Sequence, residues 1–308
     1  MKKFFVLVLF LSAFHTVFSQ KKIILEMKEV TGYENNSIVK GLSYKDSIKV
    51  YDITYLSDGL KVKGYIVRPA KQGKYPAIIY NRGGNRDFGA WTVPFAYHEL
   101  GRLAKEGYMV AASQYRGNGG GEGAEEFGGD DVNDVLNLID ALPEIEGVDV
   151  TKIGMYGWSR GGMMTYLALA RTKKVKAVVV GGGLSDLKAS LERPEMEFVY
   201  EELIPDYKKY KNKELSRRSV INWVGQLPKN VPILLLHGNA DWRVKPEQTL
   251  KLALEFEKHR IPYRLIMFEG SDHGISERKD DVDAQVFDWF KRYVKDNEPL
   301  PDMNYHGR

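Results

Sequence analysis

Hydrophobic positions along this chain follow two different periods, and the change between them falls near Pro76. From Lys49 to Tyr55, and again from Lys61 to Val67, apolar and polar residues alternate, with Ser57-Asp58-Gly59 between the two runs. A period of two on either side of a glycine-bearing turn predicts an antiparallel hairpin. Beyond Pro76 the alternation disappears. The runs AIIYN, YMVAASQY, KIGMYG, VKAVVVGG, PILLLHG and PYRLIMFEG are short and continuously apolar, as strands covered on both faces of a parallel sheet must be. Stretches of helical period separate them, near Val93 to Glu106, Asp131 to Leu142, Arg160 to Thr172, Pro246 to His259 and Asp283 to Val294.

A hairpin followed by repeated strand and helix predicts an α/β fold: a mostly parallel, doubly wound sheet with an N-terminal antiparallel hairpin. One long interruption, residues 184–230, is rich in charge and tyrosine and lies between two sheet strands. It is expected to form a cap above the strand ends. Residues 20–308 contain no internal repeat and no low-complexity linker, so they read as one domain, with 296–308 as a surface tail. With 43% hydrophobic and 28% charged residues, a chain of 308 residues has the material for its own core.

The first residues, MKKFFVLVLFLSAFHTVFSQ, place Lys2 and Lys3 before an apolar run from Phe4 to Phe14 and end in small residues near Ser19. That is the layout of a secretory signal peptide, here residues 1–19. The run is interrupted by His15 and Thr16 and is shorter than the roughly 20 residues of a membrane span. The mature protein is therefore expected in the periplasm or outside the cell, with no stable membrane span once the signal is removed. Absence of cysteine excludes disulfides, thiolate metal sites, a cysteine nucleophile and a lipid-modified cysteine. The formal charge of +4 shrinks when Lys2 and Lys3 leave, which does not point to a nucleic-acid partner.

Gly157-Trp158-Ser159-Arg160-Gly161 follows the strand KIGMYG and opens a helix. Strand, tight turn and helix are the setting of a nucleophile elbow, in which a serine hydroxyl projects from a strained turn and the glycines avoid collision with the helix and the neighbouring strand. A serine hydroxyl is a weak nucleophile and needs a base, itself oriented by a third group. Of six histidines, His15 leaves with the signal, His306 lies in the tail, His259 ends a surface helix and His98 falls within an early helix. His273 follows the last strand, as the base of this fold does. His237 precedes every plausible acid and reads as structural. Asp241, just past the strand PILLLHG, is the favoured acid over Asp186 and over Asp272, which adjoins the base itself. Two oxyanion donors are needed. One is the amide of Arg160, and the other comes from the loop Asn81-Arg82-Gly83-Gly84-Asn85, whose paired glycines let backbone amides approach a substrate.

These segments together resemble the catalytic domain of the prolyl oligopeptidase (S9) family of serine peptidases. The resemblance extends from Tyr75 to Val294 through Tyr75-Pro76, Tyr115-Arg116-Gly117, Gly128 to Asp134, Gly157 to Gly162, Arg218-Ser219-Val220-Ile221, Leu235 to Asp241 and Asp272-His273-Gly274, in family order. It implies the triad Ser159, Asp241 and His273 and an α/β-hydrolase fold. The sequence departs from the family in two ways. Residues between the signal and Tyr75 are too few for the β-propeller that usually precedes the hydrolase domain. Where many members carry a tyrosine that helps the oxyanion hole, Arg82 stands, so the second donor is expected from its guanidinium or from the amide of Gly83 or Gly84.

The expected activity is hydrolysis of a peptide bond through an acyl-enzyme on Ser159, with a small peptide as substrate and no metal or organic cofactor. A carboxylesterase, such as an acetyl or feruloyl esterase, would use the same residues. A binding protein that lost turnover is a third reading, against which the intact triad argues. Trp158, Tyr115 and Arg116 are candidates for the acyl pocket, and Glu201-Glu202 in the cap for capture of a substrate amino group.

Overall fold

The computed structural model describes residues 22–307. The signal peptide assigned to residues 1–19 lies outside the described residues.

Ile48–Ser57 (β2) and Leu60–Pro69 (β3) form the expected hairpin, in register from Ser57 opposite Leu60 to Ile48 opposite Pro69. Its turn is Asp58-Gly59, both with positive φ (51° and 85°), the geometry that a two-residue hairpin requires and that Asp-Gly accommodates. Ahead of it Ile24–Glu29 (β1) pairs antiparallel with β2, a strand that the pattern did not predict. Only Ile24 of β1 is buried, and on so exposed an edge the charges of Glu26, Lys28 and Glu29 leave no apolar period to read.

The remaining strands are Tyr75–Asn81 (β4), Met109–Ser113 (β5), Val148–Trp158 (β6), Val175–Gly181 (β7), Ile233–Gly238 (β8) and Tyr263–Phe268 (β9). They complete one nine-stranded sheet in the order β1-β2-β3-β5-β4-β6-β7-β8-β9. From β5 to β9 every pairing is parallel, and β3 meets β5 antiparallel. Buried residues gather in two clusters, one on each face of the sheet.

The first face is covered by Asp131–Ala141 (α2), Arg160–Leu169 (α3) and Pro246–His259 (α6), the second by residues 93–105 (α1) and Lys279–Phe290 (α7). In α1 the middle turn, Ala96–Leu100, is π-wound. The helix expected at Asp283 begins four residues earlier, because Asp280 and Asp281 sit in its first turn, where carboxylates favour the N-terminal end of the helix dipole. The interruption at 184–230 is two-part. Glu195–Leu203 (α4) and Tyr207–Arg218 (α5) form the cap, while the short turns from Val220 to Gln226 return against α6. The cap is anchored by buried Met196, Tyr200, Tyr207 and Leu215 and by Arg218, which donates to the carbonyls of Phe127 (2.9 Å) and Glu126 (3.0 Å). No helix among the described residues is long and apolar enough to cross a membrane.

Candidate active site

Strand order reverses at β4, whose neighbours are β5 on one side and β6 on the other. Chains leaving the C-terminal ends of β4 and β6 therefore diverge and open a crevice, the place where parallel sheets put their ligands. Ser159 stands at its edge, between the end of β6 and the start of α3. Its φ of 58° and ψ of −125° lie outside the regions an ordinary serine occupies. The turn holds because Ser159 donates its amide to Gly181 O (2.9 Å) and accepts from the amides of Gly162 (2.9 Å) and Leu184 (3.2 Å). A β-carbon on Gly161 would collide with the carbonyl of Asn81, so α3 can approach β4 this closely only with glycine there.

The structure brings His273 and Asp241 together from separate loops. His273 Nδ1 is 2.7 Å from Asp241 Oδ2, while Asp241 Oδ1 accepts from the amides of Arg243 (2.8 Å) and Val244 (3.0 Å). Burial alone pushes the Asp241 carboxyl up, but hydrogen bonds from His237 and His273, with the Val244 amide, outweigh it and hold the group well below the usual carboxylate range. Ser159 and His273 line the same cavity. His237 is structural, as expected, and its position explains why: fully buried, it meets Thr249 Oγ1 through Nδ1 (2.6 Å) and Val244 O through Nε2 (2.8 Å), with Asp241 Oδ2 3.2 Å from Nε2. It braces the acid. Asp272 caps the amides of Gly274 and Ile275, and Asp186 those of Lys188 and Ala189, so neither reaches the base.

Gly83 lies against Ser159: a β-carbon on it would stand 3.2 Å from Ser159 Cβ and 3.8 Å from Ser159 Oγ. The expectation that the Arg82 guanidinium is an oxyanion donor is corrected. Its nitrogens donate to the carbonyls of Gln114, Gly83, Phe88 and Arg86, with Glu125 3.6 Å away. Burial, with the charge of Arg160 nearby, lowers it to about 10, which leaves it charged at neutral pH. Arg82 thus splints the loop, and the backbone of Gly83 is left facing Ser159.

Tyr115 is also corrected. It is fully buried beneath the site, donates to Arg82 O (3.2 Å), and carries the guanidinium carbons of Arg82 and Arg160 at 5.3 Å and 5.2 Å from its ring centroid. It lines neither cavity beside Ser159. Arg116 is likewise removed from the pocket, paired with Asp134 and Asp58. Trp158 does line the cavity, and its indole donates to His273 O (2.9 Å), which ties the base loop to the elbow. In the cap, Glu202 is paired with Arg86 and Glu201 with Lys208, and neither lines these cavities. The sequence reading missed the buried partners of the Arg160 side chain, Glu125 (2.6 Å) and Asp131 (2.7 Å), although Asp131 falls in a segment that it singled out.

Two cavities flank Ser159. One, of about 340 Å³, runs along Gly83, Trp158 and His273 toward α1 and α7. The other, of about 260 Å³, opens toward the cap and is lined by Phe127, Leu184, Met196, Val199 and Val244.

The model of the prolyl oligopeptidase family matches residues 94–297. The chain belongs to that family. As a member it is a serine hydrolase, and a second family model, that of acetyl xylan esterase, matches residues 23–134. Among relatives, the "uncharacterized peptidase YtmA" of Bacillus subtilis (strain 168) is 29% identical over 79% of this chain and 94% of its own. Dipeptidyl-peptidase 5 of Porphyromonas gingivalis is 26% identical over 78% of this chain but only 37% of its own length. A solved acylaminoacyl peptidase in complex with Z-Gly-Gly-Phe-chloromethyl ketone superposes with a TM-score of 0.72 at 24% identity, over 89% of this chain and 45% of that one. The chain thus spans under half of these two S9 proteins and nearly all of the first.

Proposed function

We propose that this S9-family hydrolase cleaves peptide bonds through an acyl-enzyme on Ser159, and that it acts after export, as the signal-like residues 1–19 imply. The observation that carries the reading is the His273–Asp241 pair at 2.7 Å, with His273 and Ser159 lining one cavity. Asp241, kept ionised, accepts from Nδ1–H and leaves Nε2 of His273 free to take the Ser159 proton. Ser159 Oγ attacks the carbonyl carbon, and the oxyanion falls to the amides of Arg160 and Gly83. His273 returns its proton to the leaving nitrogen, and water releases the acyl group by the same route. An esterase is the second reading, supported by the acetyl xylan esterase match over residues 23–134, because an oxygen leaving group needs only the same steps.

The test is to express the full chain beside Ser159→Ala in a bacterium, label cell fractions with a fluorophosphonate, and assay the purified protein on ester and amide substrates of matched acyl group. A labelled band in the exported fraction, absent from the variant, with amide turnover, is the expected result. An unlabelled but folded wild type overturns the acyl-enzyme. Labelling confined to the cytosol overturns export, and ester turnover without amide turnover makes the protein an esterase.

A further inference from the structure

The sheet ends in two edge strands, β1 and β9, and the chain guards only one of them. β1 carries Glu26, Lys28 and Glu29 and shifts register between Ile24 and Glu26. Charges and a bulge are means by which an edge strand refuses a further strand. β9, Tyr-Arg-Leu-Ile-Met-Phe, has one charge, no proline and an unbroken register with β8. An apolar edge without those guards is a pairing surface.

Its outward hydrogen-bonding groups can be assigned. Pro262 O and Phe268 O accept from Ile233 N (2.9 Å) and Asn239 N (3.0 Å) on the β8 side. Along a strand the N–H and C=O of one residue share a side, and the side alternates from residue to residue. Even-numbered residues of β9 therefore bond to β8, while Tyr263, Leu265 and Met267 turn their amides and carbonyls to the edge. Among the described residues no loop or tail backbone pairs with these groups.

Two antiparallel copies of this edge complement each other. With a two-fold axis at Leu265, that residue faces its own copy and Tyr263 faces Met267 of the second copy, each pair of the type that exchanges both hydrogen bonds. On the α6 face the aromatic–thioether contact of Tyr263 with Met267 continues into Leu250 and Leu254, 45% and 63% exposed. They lie on the side of α6 marked by Glu257, which accepts from the Tyr263 hydroxyl (3.1 Å). On the α7 face Arg264 falls opposite Ile266 of the second copy. Ile266 borders a groove of about 290 Å³ whose charged residues are Glu269, Asp281 and Arg278. Arg278 is shared between Glu269 (3.1 Å) and Asp281 (3.8 Å), so the groove keeps a net negative charge. In its own chain Arg264 lies over the Trp289 ring (5.1 Å) and meets Gln285 at 3.4 Å and Asp288 only at 3.7 Å.

We infer that β9 is the contact through which two copies of this chain form a two-fold dimer, joining their sheets into one and placing Arg264 of each copy in the acidic groove of the other. Complementary charge fixes the register, and the paired backbone with its apolar side chains supplies the contact.

The experiment is sedimentation velocity of the purified chain over roughly 1–100 μM, the range in which moderate association becomes visible, with three variants. Leu265→Pro removes the amide on the two-fold axis, which β8 does not use, and an edge strand tolerates proline. Arg264→Glu sets a carboxylate against the acidic groove, and Arg264→Glu with Asp281→Arg exchanges the two charges. Far-UV circular dichroism and Tm report folding. The expected result is a wild-type dimer whose Kd rises about tenfold or more in each single variant and recovers in the charge exchange. A wild type that is monomeric throughout the range overturns the inference, whatever else covers β9. A dimer that Arg264→Glu and Leu265→Pro leave unchanged also overturns it, since it forms through another surface. If Leu265→Pro does not fold, Arg264→Glu and the charge exchange decide, and a charge exchange no tighter than Arg264→Glu alone overturns the assignment of Arg264 to the groove.

Discussion

Gly83 shows how little space the proposed oxyanion loop has beside Ser159. A β-carbon there would meet Trp158 O at 3.0 Å and Ser159 Cβ at 3.2 Å, so Gly83→Ala must move either the loop or the nucleophile by a few tenths of an ångström. Donors of this kind act through placement. The expected outcome is a fall in kcat of about ten- to a hundredfold with KM and Tm nearly unchanged, measured on a p-nitrophenyl ester. A kcat within twofold of wild type would remove Gly83 from the oxyanion hole. Arg82, one position earlier, has the chemistry of a donor and not the freedom, since four carbonyls already occupy its nitrogens.

Between elements, the buried side chain of Arg160 joins α3 to the segment that leads into α2. It reaches Glu125 and Asp131 and donates to Gly84 O (3.0 Å), with its guanidinium carbon 4.5 Å from the Phe127 ring centroid. Burial pushes the Glu125 carboxyl up, and the charge of Arg160 first, then Asn118 and Arg82, bring it below its usual range. Removing the cation strands two buried carboxylates. Arg160→Met should therefore lower the unfolding free energy by about 3–5 kcal/mol, the cost of breaking a buried pair from one side, as read by urea denaturation. A loss under about 1 kcal/mol would mean that Glu125 and Asp131 are satisfied without it. Strands β4 to β9 and helices α2, α3 and α6 were legible from period and punctuation because each obeys one dominant pattern. The edge strand β1 and the start of α7 were not, since their positions depend on a neighbouring strand and on first-turn charges.

At the scale of the molecule, α1 and α7 are clamped across one face of the sheet by Glu99, Arg102, Lys279 and Asp283. Burial raises the Glu99 carboxyl, but His98, Arg102 and Lys279 together hold it well below the usual range. A carboxyl depressed in the folded state adds stability above its unfolded value, about 4.3 for glutamate, and that stability is lost as pH falls toward the folded value. Tm should therefore drop on acidification from pH 7 to pH 3, and the drop should be smaller in Glu99→Gln. An identical slope in the variant would show that the clamp does not contribute. Asp134, which burial pushes up, has the opposite sign, so the difference between wild type and variant is the informative quantity.

What the sequence determined by itself was everything encoded in local order: the sheet's parallel character, the hairpin at Asp58-Gly59, the elbow at Ser159, and the chain order that singles out Asp241 and His273. Each follows from spacing along the chain, where period, glycine placement and turn chemistry act over a few residues. Tertiary structure alone decided which polar groups are already occupied. Arg82 and Tyr115 look available in the sequence and are consumed in the fold, while Glu99, Arg102, Lys279 and Asp283, distant along the chain, pair with one another. Hydrogen-bond satisfaction is a property of packed neighbours, and no local pattern records which donors the folded chain leaves without acceptors.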